Sequence, residues 1–271
     1  MNKIVIPEYT DIYKTEDTLP MFQTLVGSRA YGMSKSDSDY DYRAVHVFKP
    51  ELYITVNKKH KATIEIKRDN IDAVSHELGP FLYLMKHSVH NVYEMIYSPY
   101  FKWYGSDELK KEFTALYEKC FNPYLACLSY IGAMASAISG LAKAFEETNA
   151  EKAVKCFFLH HRLLASYTYV LRNKDDKKFP PLDIEELHKS LGDEVPALPS
   201  MEALYQAAEH SPKDVIGVLC EHIDDLKKEI ETSIKEHKPI LIAKANESEL
   251  VSNEELDNFY RKAVYEISNN K

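Results

Sequence analysis

Residues 24–47 read TLVGSRAYGMSKSDSDYDYRAVHV, and how this stretch divides decides the fold. An apolar run ends at Thr24-Leu25-Val26, breaks at Gly27-Ser28 and enters a polar loop rich in Gly and Ser. From Asp39 to Val47 the chain alternates, which is the period of a half-buried strand. Residues two apart on a strand share a face, so Asp39 and Asp41 are expected side by side. Two carboxylates that close repel unless a cation sits between them. Their oxygens suit a hard ion, Mg²⁺ or Mn²⁺, which commonly takes one or two carboxylates plus substrate phosphates. Gly27 and Ser28, at the end of the preceding strand, are placed to offer N–H groups and a hydroxyl to a phosphate.

The run Val26-Gly27-Ser28, a ten-residue spacer, then Asp39-Tyr40-Asp41 resembles the signature of the nucleotidyltransferase superfamily related to DNA polymerase β. The fuller runs Gly27-Ser28-Arg29-Ala30-Tyr31-Gly32 and Ser36-Asp37-Ser38-Asp39-Tyr40-Asp41-Tyr42-Arg43 are most similar to one branch. That branch comprises predicted nucleotidyltransferases associated with RNA ligases and RNA repair. The resemblance implies transfer of a nucleoside monophosphate from a nucleoside triphosphate to an acceptor, with two Mg²⁺ held by Asp39, Asp41 and a third carboxylate. Gly27 and Ser28 would grip the triphosphate, and Arg29 would neutralise charge there.

The superfamily places its third carboxylate on a neighbouring strand, in an apolar-Asp-apolar-apolar setting. Asp72, in Ile71-Asp72-Ala73-Val74, matches that setting, and Glu77 at the following strand-to-helix junction is the alternative metal ligand. The two differ in parity, so a regular strand directs only one of them at the metals. A helix-start role is the other reading of Glu77. The branch also has a helix ending in a basic residue, then an Asn-containing turn and a Glu-containing helix. Lys86, Asn91 and Glu94 fall at those places, without the usual Pro after Asn. Lys86 is either a phosphate contact or a solvated helix end. Further on, Lys155 and Arg162 are seven apart on one helix and match a Lys/Arg pair of the branch, which gives them a nucleotide-binding expectation. The His that should follow Lys by four residues is replaced by Leu159.

Strands dominate residues 1–78 and helices the rest. This predicts an α+β chain: a small mixed sheet with flanking helices over residues 1–120, then a mainly helical domain over 121–271. The first 120 residues carry 16 basic and 17 acidic side chains and the remainder 18 and 25, so a polyanion would favour the first part. Within it, Lys49, Lys58, Lys59, His60, Lys61, Lys67 and Arg68 form a basic segment, read either as solvated surface or as a contact for acceptor phosphates. Cys120, Cys127, Cys156 and Cys220 form no CxxC pair, which fits reduced thiols in a cytoplasmic protein better than a zinc site or disulfide framework. The N-terminus lacks an apolar signal core, and no apolar run is long enough to predict a membrane span or a membrane partner. Three functions fit this pattern. One is a nucleotidyltransferase acting on an RNA end, another a transferase modifying a protein or small molecule, and the last a non-catalytic nucleotide-binding module. Three intact acids oppose the last.

Overall fold

The computed structural model of the protein describes residues 4–56 and 61–269. It is α+β, with a mixed five-stranded sheet and helices followed by a mainly helical region, as the sequence predicts. The chain forms two compact units. One runs to Phe121 and resumes at Glu249; the other is Asn122–Ser248. The C-terminal stretch thus groups with the first unit. The reason is the apolar stripe Leu256, Phe259, Ala263 and Ile267, which is buried against the first unit, with Phe259 packed 5.8 Å from Phe113. An amphipathic helix declares that it covers something, but not what it covers.

In the first unit the elements are α1 (Tyr9–Tyr13), β1 (Thr18–Val26), a 3₁₀ turn (Gly27–Arg29), β2 (Tyr40–Phe48) and α2 (Pro50–Tyr53). After these come β3 (Thr63–Arg68), β4 (Ile71–Glu77), α3 (Leu78–Lys86), α4 (His90–Ile96), β5 (Phe101–Trp103) and α5 (Asp107–Cys120). The sheet order is β3-β4-β2-β1-β5. Only β2 and β4 run parallel; the other neighbours are antiparallel. The stretch after Phe48 is one helical turn started by Pro50, whose fixed φ suits that position.

Alternation along β2 divides the sheet's two faces. Tyr42 and Ala44, with Leu25 of β1 and Ala73 of β4, are buried against Tyr9, Ile12 and Tyr13 of α1. A Leu25→Ala change there would cost about 2–5 kcal/mol. The intervening residues Asp41 and Arg43 take the opposite face, where Phe81 and Leu84 of α3 and Val92 and Met95 of α4 close a cavity of about 240 Å³. Helices cover one side and leave the polar ends of β2 and β4 lining a hollow.

The second unit is helical: α6 (Pro123–Glu146), α7 (Ala150–Arg172), α8 (Ile184–Leu191), α9 (Met201–His210), α10 (Pro212–Thr232) and α11 (Lys238–Glu247). Between α10 and α11 lies a π turn at Ser233–His237. Helix α6 is long and apolar enough to cross a bilayer by length and composition, which the sequence reading did not anticipate. Here its stripe Ala126, Cys127, Tyr130, Met134, Ile138 and Leu141 is buried, and α6 packs along α7. The last helix, α12 (Asn253–Asn269), returns to the first unit.

Candidate active site

One transverse row of the sheet carries the site. Val26 of β1 pairs with Asp41 of β2, Asp41 pairs with Asp72 of β4, and Asp72 pairs with Lys67 of β3. Directly paired residues point to the same face, so the two acids stand side by side with a lysine at the edge. Arg43, two residues beyond Asp41, shares their face. Its Nη1 donates to Asp72 Oδ1 at 3.1 Å and to the carbonyls of Tyr42 and Asp72, both at 2.9 Å. Its Nη2 lies 3.6 Å from Asp41 Oδ1. The guanidinium therefore sits where two carboxylates require positive charge.

Gly27 explains why the preceding turn is so placed. It has φ +71°, and a Cβ there would lie 2.1 Å from Asp41 Oδ2. The backbone comes against the carboxylate at a position only glycine can fill. The turn closes with Gly27 O accepting from the N–H groups of Ala30 and Tyr31, and Ser28 O accepting from Met33 N.

Arg29 is held within the loop. Its Nη2 and Nε donate to the carbonyls of Ser38 and Asp39, and its guanidinium lies 3.9 Å from the Tyr40 ring centroid. It ties the loop down beside the start of β2. Asp39 is exposed and lies one residue before the strand begins, held through its own carbonyl by Arg29. Tyr31, from the same loop, donates to Glu94 Oε2 of α4 at 2.6 Å, and Glu94 is buried. The loop is thus anchored at both ends.

Parity settles where Glu77 points. Its residue pairs with His46, on the face opposite Asp72. The side chain caps α3, with Oε2 accepting from Gly79 N at 2.9 Å and Oε1 from the hydroxyls of Tyr53 and Tyr260. This is the helix-start role. Lys86, at the end of α3, donates to Asn253 Oδ1 at 2.7 Å. Lys155 is exposed on α7, whereas Arg162 is buried and its Nε donates to the Leu182 carbonyl. Seven residues put both on one helical side, yet Arg162 forms part of the unit's interior.

Of the basic segment, Lys58, Lys59 and His60 lie outside the described residues. Lys61 and Lys67 are exposed, and Arg68 donates to the Asp11 carbonyl. Two residues were missed from sequence. Arg43 and His76 were both legible by the same period of two that placed Asp41 and Asp72. His76 lines the cavity, and burial, then the nearby Arg43 charge, push its pKa down against the opposing pull of Glu65.

Among the described residues no three acidic, imidazole or thiol side chains converge as a ready-made metal cage. The donor chemistry nevertheless fits a hard cation: Asp41 and Asp72 are paired carboxylates that already hold a guanidinium.

A family model described as RNA repair pathway DNA polymerase beta family matches residues 1–262. An uncharacterized protein of Bacillus subtilis (strain 168), YcgL, is 25% identical over 206 residues, which is 76% of each chain.

Proposed function

Because the chain belongs to the RNA repair pathway DNA polymerase beta family, we propose that it transfers a nucleoside monophosphate from a nucleoside triphosphate to an RNA end. The observation that supports this most is the in-register pair Asp41–Asp72 beside the left-handed Gly27 turn. Asp41 and Asp72, with Asp39 from the loop before β2, would hold Mg²⁺ or Mn²⁺ through carboxylate oxygens. When bound, the metal lowers the pKa of the attacking hydroxyl and stabilises the departing pyrophosphate. Gly27 and Ser28 bind the triphosphate through backbone N–H and hydroxyl groups, in the manner of an anion nest. Arg29 acts one step back, by fixing the loop that carries Asp39. Arg43 keeps Asp41 and Asp72 together and offsets part of their charge.

Lys67 directly beside Asp72 on the edge strand, with exposed Lys61 in the segment that leads into that strand, favours an anionic acceptor. Each phosphate contact on a single strand contributes about −0.7 to the slope of log K against log salt. Incubation with each α-labelled nucleoside triphosphate and RNA tests the proposal: label should enter RNA. Replacing Lys61 and Lys67 by Ala should flatten the salt slope by about 1.4. Label entering protein or a small molecule while RNA stays unlabelled would replace the RNA acceptor with one of those classes.

A further inference from the structure

Tyr31 joins two parts of the first unit that the sheet does not connect. Its hydroxyl donates to Glu94 Oε2 at 2.6 Å, the length of a hydroxyl bonded to a charged carboxylate. Glu94 is buried in α4, while Tyr31 is half-buried in the loop that follows β1. Both side chains line the cavity that also takes in Gly27 and Asp41.

The α4 end of this strut is fixed without help from the loop. Tyr93, beside Glu94 in the chain, is buried, and its hydroxyl reaches the Met85 carbonyl of α3 at 3.2 Å and the Tyr117 carbonyl of α5 at 3.1 Å. Ser98, just beyond α4, donates to the Leu25 carbonyl of β1 at 2.6 Å. The loop end is held more lightly. Gly27 and Gly32 have φ of +71° and +70°, so the segment between them is bounded by two left-handed residues. Within it Ala30 is buried, whereas Ser28, Arg29 and Tyr31 are half-buried. The Tyr31 N–H donates to Gly27 O at 3.0 Å, so displacing Tyr31 displaces the turn.

We infer that Tyr31 is a positioning residue for nucleotide binding: held by Glu94, it sets the Gly27–Arg29 turn against the Asp41 carboxylate. The inference rests on the transfer reading above, because it names what fixes the turn assigned there to the triphosphate. On one side the turn already abuts Asp41, where a Cβ on Gly27 would collide. Movement to the other side is what the strut resists. Without it the turn drifts from the carboxylate, and its N–H groups and the metal site no longer meet one triphosphate together. That loss weakens ground state and transition state alike, so KM rises with little change in kcat.

The test uses the full chain with Mg²⁺ and a labelled, non-hydrolysable nucleoside triphosphate, read by fluorescence polarisation, alongside transfer kinetics. Amide hydrogen exchange at Ala30, Tyr31 and Met33 is followed without nucleotide. Tyr31→Phe keeps the ring and removes the hydroxyl. It should raise Kd and KM about tenfold, leave kcat within about threefold, and speed exchange at those amides about tenfold. Glu94→Gln keeps an oxygen that accepts from Tyr31, and should bind nucleotide within about threefold of wild type. Tyr31→Phe combined with Glu94→Ala should bind no more weakly than Glu94→Ala alone, because both remove the same bond. All are compared at a temperature where melts show each variant folded. Wild-type affinity in Tyr31→Phe, unchanged amide exchange, or additive losses in the double variant would overturn the inference and leave the transfer reading standing. Failure of the wild type itself to bind any nucleoside triphosphate would remove the transfer reading and this inference with it.

Discussion

Asp41 and Asp72 stand directly opposite each other on parallel strands, and the guanidinium of Arg43 joins them. Both carboxylates are half-buried, and two held this close call for positive charge between them. Arg43 is anchored to two backbone carbonyls as well, so its charge is fixed in place.

From this arrangement Arg43→Gln is expected to lower stability by about 1–2 kcal/mol, since the pair is only partly shielded from water. Mg²⁺ should restore more of that loss than it adds to the wild type, because the two acids then lose the Arg43 charge. Urea melts with and without Mg²⁺ measure this. Equal Mg²⁺ effects on both proteins would show that the acids do not meet the ion.

Gly27→Ala should be damaging out of proportion to its one carbon. The left-handed φ costs a β-carbon about 1–2 kcal/mol. The methyl must in addition displace the Asp41 carboxylate, so transfer should be lost even in conditions where the protein stays folded. Activity near wild type would mean that Asp41 can move without consequence.

Glu77 and Asp72 are separable. Glu77→Ala removes the cap of α3 and the acceptor of two tyrosine hydroxyls, costing about 1–2 kcal/mol while sparing transfer at a temperature where the variant is folded. Asp72→Asn should do the reverse. Parallel melts and transfer assays distinguish them, and inactive folded Glu77→Ala would return Glu77 to the site.

His46 gives the protein an acid-sensitive interior. Burial, then the neighbouring His76, lowers its pKa to about 3. Above pH 6.5 the imidazole is neutral in both folded and unfolded chains and contributes no pH dependence. Below 6.5 the unfolded chain takes up a proton that the folded one refuses, so stability falls as pH drops toward 3. Between pH 7 and 5 this amounts to about 2 kcal/mol. His46→Gln should remove that part of the slope in urea melts, and an unchanged slope would exclude His46 as its source.

The period of two made much of this legible in sequence. It put Asp41 on a strand, though Asp39, expected beside it, lies one residue before that strand begins; it allowed only one of Asp72 and Glu77, to which the resemblance pointed, to face the metals, and would have named Arg43 and His76 had it been carried further. The Gly-Ser break marked the turn because only glycine permits that backbone approach. Other features depend on partners remote in sequence. Phe259 and Tyr260 join the first unit through contacts with Phe113 and Glu77, which no local pattern specifies. Helical spacing puts Arg162 on one side of its helix with Lys155, but the burial of that side is set by what packs on it.

The most direct measurement is single-turnover transfer from an α-labelled nucleoside triphosphate to RNA, comparing wild type with Asp41→Asn and Asp72→Asn under saturating Mg²⁺. Loss of transfer by a factor of about 10³ or more in both folded variants is expected if these carboxylates hold the metal. Rates within a few-fold of wild type in either variant would contradict a nucleotidyltransfer site built on Asp41 and Asp72.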